Sequence, residues 1–144
     1  MSGITRQLVY LSDAKFGLEM NDIEKILTSS RRNNLNDEVT GLLIYSDGVF
    51  IQILEGVGET VERVFQRILD DSRHENVDIL LDAKVESRAF ANWEMAFIES
   101  TPEELGQRAG VDGALDRSEV LRLLNQDQSR VTTFLHNFAS ALGD

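Results

Sequence analysis

The sequence predicts an α+β fold, with a ferredoxin-like β-α-β-β-α-β core, a fifth strand and C-terminal helices. Three observations carry this expectation. Strand and helix periodicities follow one another in the order strand, helix, hairpin, helix, strand, strand. An Asp47-Gly48 pair separates two β-rich runs, which marks a tight hairpin whose turn residues tolerate positive φ. The second of those runs is apolar on both faces, with Val49, Ile51 and Ile53 on one and Phe50 and Leu54 on the other. Both faces of the sheet therefore need a cover.

Arg6 to Ser12 reads as the first strand, with Leu8, Tyr10 and Ser12 on one face. Asn21-Asp22-Ile23-Glu24 reads as a capping box, and Met20, Ile23, Ile26 and Leu27 form an apolar stripe behind it. That helix is expected to end near Asn33-Asn34. The hairpin strands run over Val39 to Tyr45 and Val49 to Glu55. Gly58 opens a second helix whose Val61, Val64, Phe65, Ile68 and Leu69 keep helical spacing. Val77 to Val85 and Trp93 to Ile98 complete the strands.

The remainder is helical. Thr101-Pro102-Glu103-Glu104 combines a capping threonine, proline at the first helical position and glutamate at the third. Asp116-Arg117-Ser118-Glu119 opens another helix in the same style. The last helix carries Val131, Phe134, Leu135, Phe138 and Leu142 on one stripe, with Gly143 as its terminator. Residues 106–113 are expected to form a flexible loop. The helices are expected to cover the second sheet face or to pair with another subunit.

A chain of 144 residues suits one core. Its net charge of −11 repels phosphate backbones, which argues against nucleic-acid binding. No apolar run spans a bilayer and Met1 to Gln7 lack a signal-peptide pattern, so a cytoplasmic location is expected. The absence of cysteine removes disulfides, thiolate metal sites and thiol nucleophiles. With two histidines and no carboxylate pattern beside them, no metal site is expected.

Two residues stand out chemically. Gln52 lies between Phe50 and Leu54 on one strand face, and an unsatisfied buried amide costs about 1–3 kcal/mol. Tyr10 also sits on an apolar strand face, with a hydroxyl that needs a partner. If their strands are neighbours the two bond to each other, either as a satisfied core pair or as part of a site. Asn33-Asn34 reads as a helix terminator, and Arg73-His74 as residues near a helix C-terminus.

Read together, these residues resemble the BLUF family of blue-light sensors using FAD. The matching segments are Leu8-Val9-Tyr10-Leu11-Ser12, Ser30-Arg31-Arg32-Asn33-Asn34 and Val39-Thr40-Gly41-Leu42-Leu43. Val49 to Gly56, Asp71-Ser72-Arg73-His74 and Arg88 to Met95 follow in the family's order. The resemblance implies a flavin-binding domain over residues 1–100, with residues 101–144 as a helical extension on the sheet or at a subunit interface. It implies Tyr10 as photochemical electron and proton donor, with Gln52 bridging it to the flavin. It also implies Asn33 and Asn34 at the polar edge of the ring, Ile23 and Ile26 against its faces, and Arg73 and His74 near the ribityl or phosphate part. Ser12, Trp93 and Met95 fall at signal-relaying positions. The expected output is hydrogen-bond rearrangement without an enzymatic effector, through homo-oligomerisation or a separate protein partner, with no membrane. A flavin-dependent redox enzyme and a cofactor-free ferredoxin-like interaction module are the alternatives.

Overall fold

The computed structural model describes residues 5–15, 17–125 and 128–141. The strands are β1 (Thr5–Ala14), β2 (Thr40–Ser46), β3 (Val49–Gly56), β4 (His74–Val85) and β5 (Ala96–Glu99). The helices are α1 (Met20–Asp37), α2 (Gly58–Leu69), α3 (Pro102–Ala109), α4 (Arg117–Asn125) and α5 (Gln128–Ala141). Leu142 and Gly143, read above as the end of the last helix, lie outside the described residues.

The sheet order is β4-β1-β3-β2-β5. The first four strands pair antiparallel in the ferredoxin-like order, and β5 joins β2 in parallel. Asp47 and Gly48 turn the hairpin with φ of 46° and 81°, as their sequence requires. Gly41 is held to glycine by packing: a Cβ there would lie 1.9 Å from the Ile53 carbonyl oxygen.

Both sheet faces are covered. Leu8, Tyr10, Leu43, Phe50 and Leu54 meet Ile23, Ile26, Val61 and Phe65 of α1 and α2 on one face. Val9, Leu11, Leu42, Ile44, Ile51 and Ile53 meet Leu105, Val120, Leu124, Phe134 and Phe138 of α3, α4 and α5 on the other. Fully burying each such side chain contributes about 1.5–3 kcal/mol. Removing α3 to α5 would strip the cover from half the core. Arg117 adds a polar tie, donating to Asp13 at 2.7 Å and Asp78 at 3.0 Å. These carboxylates flank one of the two register shifts between β1 and β4, the one where Asn76 takes a φ of 52°.

Four local expectations are corrected. Helix α1 starts at Met20 with Glu19 as its N-cap, and Glu19 and Asp22 form the reciprocal box that the sequence placed at Asn21 and Glu24. It also continues through Asn33-Asn34 and closes at Glu38, whose φ is 56°. The segment 106–113 begins as part of α3, and Gly106 packs so closely on Gly113 that a Cβ would meet its carbonyl oxygen at 1.9 Å. Strand β5 starts at Ala96, not at Trp93. The carbonyls of Glu94 and Met95 are taken by side chains of α1 rather than by a strand ladder.

Phe134 is buried against the sheet and meets Phe138 edge to face at 4.9 Å. Phe134→Ala is expected to cost about 3–5 kcal/mol in urea denaturation. A loss below about 1 kcal/mol would mean that the helical layer is not integral to the core.

Candidate functional site

Tyr10 and Gln52 are register partners on adjacent strands, with side chains on the α1/α2 face. Their exposures are 0% and 2%, and the Tyr10 hydroxyl donates to Gln52 Oε1. Burial pushes the Tyr10 pKa well above its ordinary value, with the negative charge of Asp71 adding to the effect. The phenol is thus held protonated, as a donor. Gln52 Nε2 donates to Met95 Sδ at 3.5 Å. A thioether is a weak acceptor, and the amide nitrogen carries a second hydrogen.

Gln52 forms part of the wall of a cleft of about 200 Å³ between α1 and α2. Helix α1 contributes Ile26, Ser29, Ser30, Asn33 and Asn34. Helix α2, the turn after it and the first residue of β4 contribute Val64, Arg67, Ile68, Asp71, Arg73 and His74. The sequence-predicted Ile26, Asn33, Asn34, Gln52, Arg73 and His74 therefore converge on one cavity. Tyr10 stands behind Gln52, and Ile23 lies in the core rather than on the cleft wall. Ser29, Ser30, Arg67, Ile68 and Asp71 were not assigned to the site from sequence; Ser29 and Arg67 are surface helix positions that carry no signal until a facing helix encloses them.

Asn34 is 1% exposed and donates through Nδ2 to the Glu94 carbonyl at 2.7 Å, while Arg31 Nε donates to the Met95 carbonyl at 2.9 Å. Two side chains of α1 thus hold the segment that carries Met95 over Gln52. Trp93 faces the other way and packs half-buried against the α3–α5 core. His74 lies against the Phe50 ring at 4.9 Å, and its Nδ1 is 3.3 Å from Ser12 Oγ. Burial lowers the His74 pKa below its ordinary 6.5; Asp71 opposes that shift and Arg73 adds to it. At neutral pH the ring is uncharged.

The arginines divide their work. Arg73 grips Asp71 with two parallel bonds, Nε to Oδ1 at 2.9 Å and a terminal nitrogen to Oδ2 at 2.6 Å. These bonds hold the Asp71 carboxyl below the usual carboxylate range. Arg32 and Lys25 line a shallow groove that shares Ser29 and Arg73 with the cleft, alongside one carboxylate, Glu24. Among the described residues no acidic or histidine cluster could hold a metal ion. None of their helices is long and apolar enough to cross a membrane.

Residues 5–96 match the family described as sensors of blue-light using FAD. The chain belongs to the BLUF family. It is 31% identical over 99 residues to the photoactivated adenylate cyclase subunit beta of Euglena longa, covering 68% of this chain and 11% of that one. It is 32% identical over 83 residues to the blue light- and temperature-regulated antirepressor BluF of Escherichia coli K12, covering 58% of this chain and 21% of that one. A solved structure described as the BlsA photo-activated state matches with a TM-score of 0.79 at 28% identity, over 94% of both chains. That likeness extends past the family match into the C-terminal helices.

FAD is the family's cofactor, and the cleft has the chemistry to take it. An apolar wall from Ile26, Val64 and Ile68 suits an aromatic ring system, and Asn33, Asn34 and Gln52 offer amides to its polar edge. Among the described residues the Nε2 of Gln52 is met only by a thioether, a weak acceptor, and the polar edge of a ring would offer it a stronger one.

The lowered His74 pKa has a thermodynamic consequence. As pH falls, the unfolded chain takes up the proton near 6.5, before the folded protein does. The neutral ring therefore loses stability for the fold progressively below about pH 6.5. Denaturation midpoints measured at about pH 7.5 and 5.5 should drop more for wild type than for His74→Gln. Equal drops would show that His74 titrates as a solvated group.

Proposed function

We propose that the protein is a blue-light switch in which Tyr10, Gln52 and Met95 form the moving part and FAD occupies the cleft between α1 and α2. The observation that carries this reading is the chain of contacts from the Tyr10 hydroxyl through the Gln52 amide to the Met95 sulfur, beside an amide-lined cleft. Bound FAD supplies light absorption and, once excited, oxidising power. Tyr10 is the electron and proton donor, its phenol kept protonated by burial. Asn33 and Asn34 would hold the polar edge of the ring, with Ile26 against its face and Ile23 supporting from the core. His74 and Arg73 would hold the ribityl chain, and the groove of Lys25, Arg32 and Arg73 would take the phosphates.

The switch is the orientation of one amide. In the present orientation Gln52 Oε1 accepts from Tyr10 and Nε2 donates to Met95. A half-turn exchanges those contacts: Nε2 meets the Tyr10 oxygen, and Oε1 meets a sulfur that cannot donate. A change of one or two hydrogen bonds is worth about 1–3 kcal/mol, enough to shift a two-state equilibrium roughly 5–150-fold. The change passes to the segment that carries Met95 and Trp93, then to β5 and the helices packed behind it, with Ser12 relaying through His74. The output is binding rather than turnover, to a further copy of the chain or to a separate protein.

Absorption spectra in the dark and directly after blue light test the reading, with Gln52→Leu and Tyr10→Phe beside wild type. Wild type should show a bound-flavin spectrum that red-shifts reversibly, and both variants should keep flavin but lose the shift. Bound flavin without a shift in wild type would favour redox chemistry. Colourless protein, still colourless with added FAD, would leave a cofactor-free module.

A further inference from the structure

Strand β3 places Gln52 and Glu55 three residues apart and therefore on opposite faces of the sheet. Gln52 faces the cleft. Glu55 lies at a position where Ile51 and Ile53 precede it on the same face, yet it carries a carboxyl group with 0% exposure. That carboxyl accepts three hydrogen bonds, from Gln7 Nε2 at 2.8 Å, Ala89 N at 2.9 Å and Phe90 N at 2.8 Å. Two of the donors belong to the segment between β4 and β5.

That segment crosses from one face of the sheet to the other. Phe90 is fully buried in the core beneath α3, α4 and α5. Five residues later Met95 is buried in the opposite core, with its sulfur on Gln52. Between them Trp93 O accepts from Gly41 N at 3.0 Å, and the next two carbonyls are held by Asn34 and Arg31. The strap is thus fixed at its near end by Glu55 and at its far end by α1. Hydrogen bonds to a carboxylate are the strongest of these anchors.

We propose that Glu55 is a positioning residue for the Gln52 switch: by holding the amides of Ala89 and Phe90 it sets the placement of Met95 against Gln52. It also couples that contact to the α3–α5 core through Phe90. The inference rests on the photoreceptor reading above.

The test is a double-mutant cycle on the rate at which the dark spectrum returns after a blue-light pulse. It compares wild type, Glu55→Gln, Met95→Leu and the double variant as flavin-loaded full chains. Glu55→Gln replaces one acceptor oxygen by a donor that faces an N–H, and Met95→Leu removes the sulfur while keeping the volume. In the wild-type background Glu55→Gln should change the return rate about tenfold. In the Met95→Leu background it should change it less than about twofold. An equal change in both backgrounds, or none in either, would overturn the positioning role. If Glu55→Gln does not accumulate as folded protein, Glu55→Asp enters the same cycle and is read by the same criterion. A wild-type chain with no reversible red shift would instead overturn the photoreceptor reading, and this inference with it.

Discussion

Strand β3 is apolar on both faces and lies inside a sheet five strands wide, so neither face can be left to water. The constraint divides the molecule. One face takes α1 and α2, which part enough to leave a cleft, and the other takes α3 to α5, which close over it. Because β3 belongs to both layers, a side chain facing the cleft and one facing the helices can be three residues apart. The sheet is both the floor of the cleft and the wall between the cleft and the C-terminal helices.

Three polar residues of the interior are tolerated because each has a partner from a different element, whereas the buried Ser46 Oγ has none among the described residues. Tyr10 has Gln52 across the β1–β3 pair, Asn34 has a carbonyl of the strap, and Glu55 has two strap amides and Gln7. An unpaired member would cost about 1–3 kcal/mol, which is a large part of the margin of a domain this size. Polar satisfaction therefore joins elements that apolar contact alone would let slide. The segment between β4 and β5 is held in this way as well as by the burial of Phe90 and Met95.

The sequence makes the architecture readable because its signals are local. Asp47-Gly48 specifies its own turn, the stripe from Val61 to Leu69 specifies its own helix, and Thr101 with Glu104 caps its own helix. Tyr10 and Gln52 were legible as a pair because a polar group on an apolar strand face is conspicuous. What stayed hidden depends on distant partners. Asn21 looks a better cap than Glu19, yet the chain entering from β1 puts Glu19 in the capping position. Trp93 to Met95 look like strand, but Asn34 and Arg31, some 60 residues earlier, claim the carbonyls of Glu94 and Met95. Glu55 reads as the end of a strand until the loop that folds over it is in place.

The two free margins of the sheet differ in design and agree in effect. Strand β4 is interrupted by two register shifts and exposes Glu75, Asp82 and Lys84, while β5 is only four residues long. A foreign strand finds no long, flat row of backbone groups on either side. The edges therefore disfavour growth of a ribbon from copy to copy. The helical faces differ from these edges in offering a neighbour side chains rather than unpaired backbone.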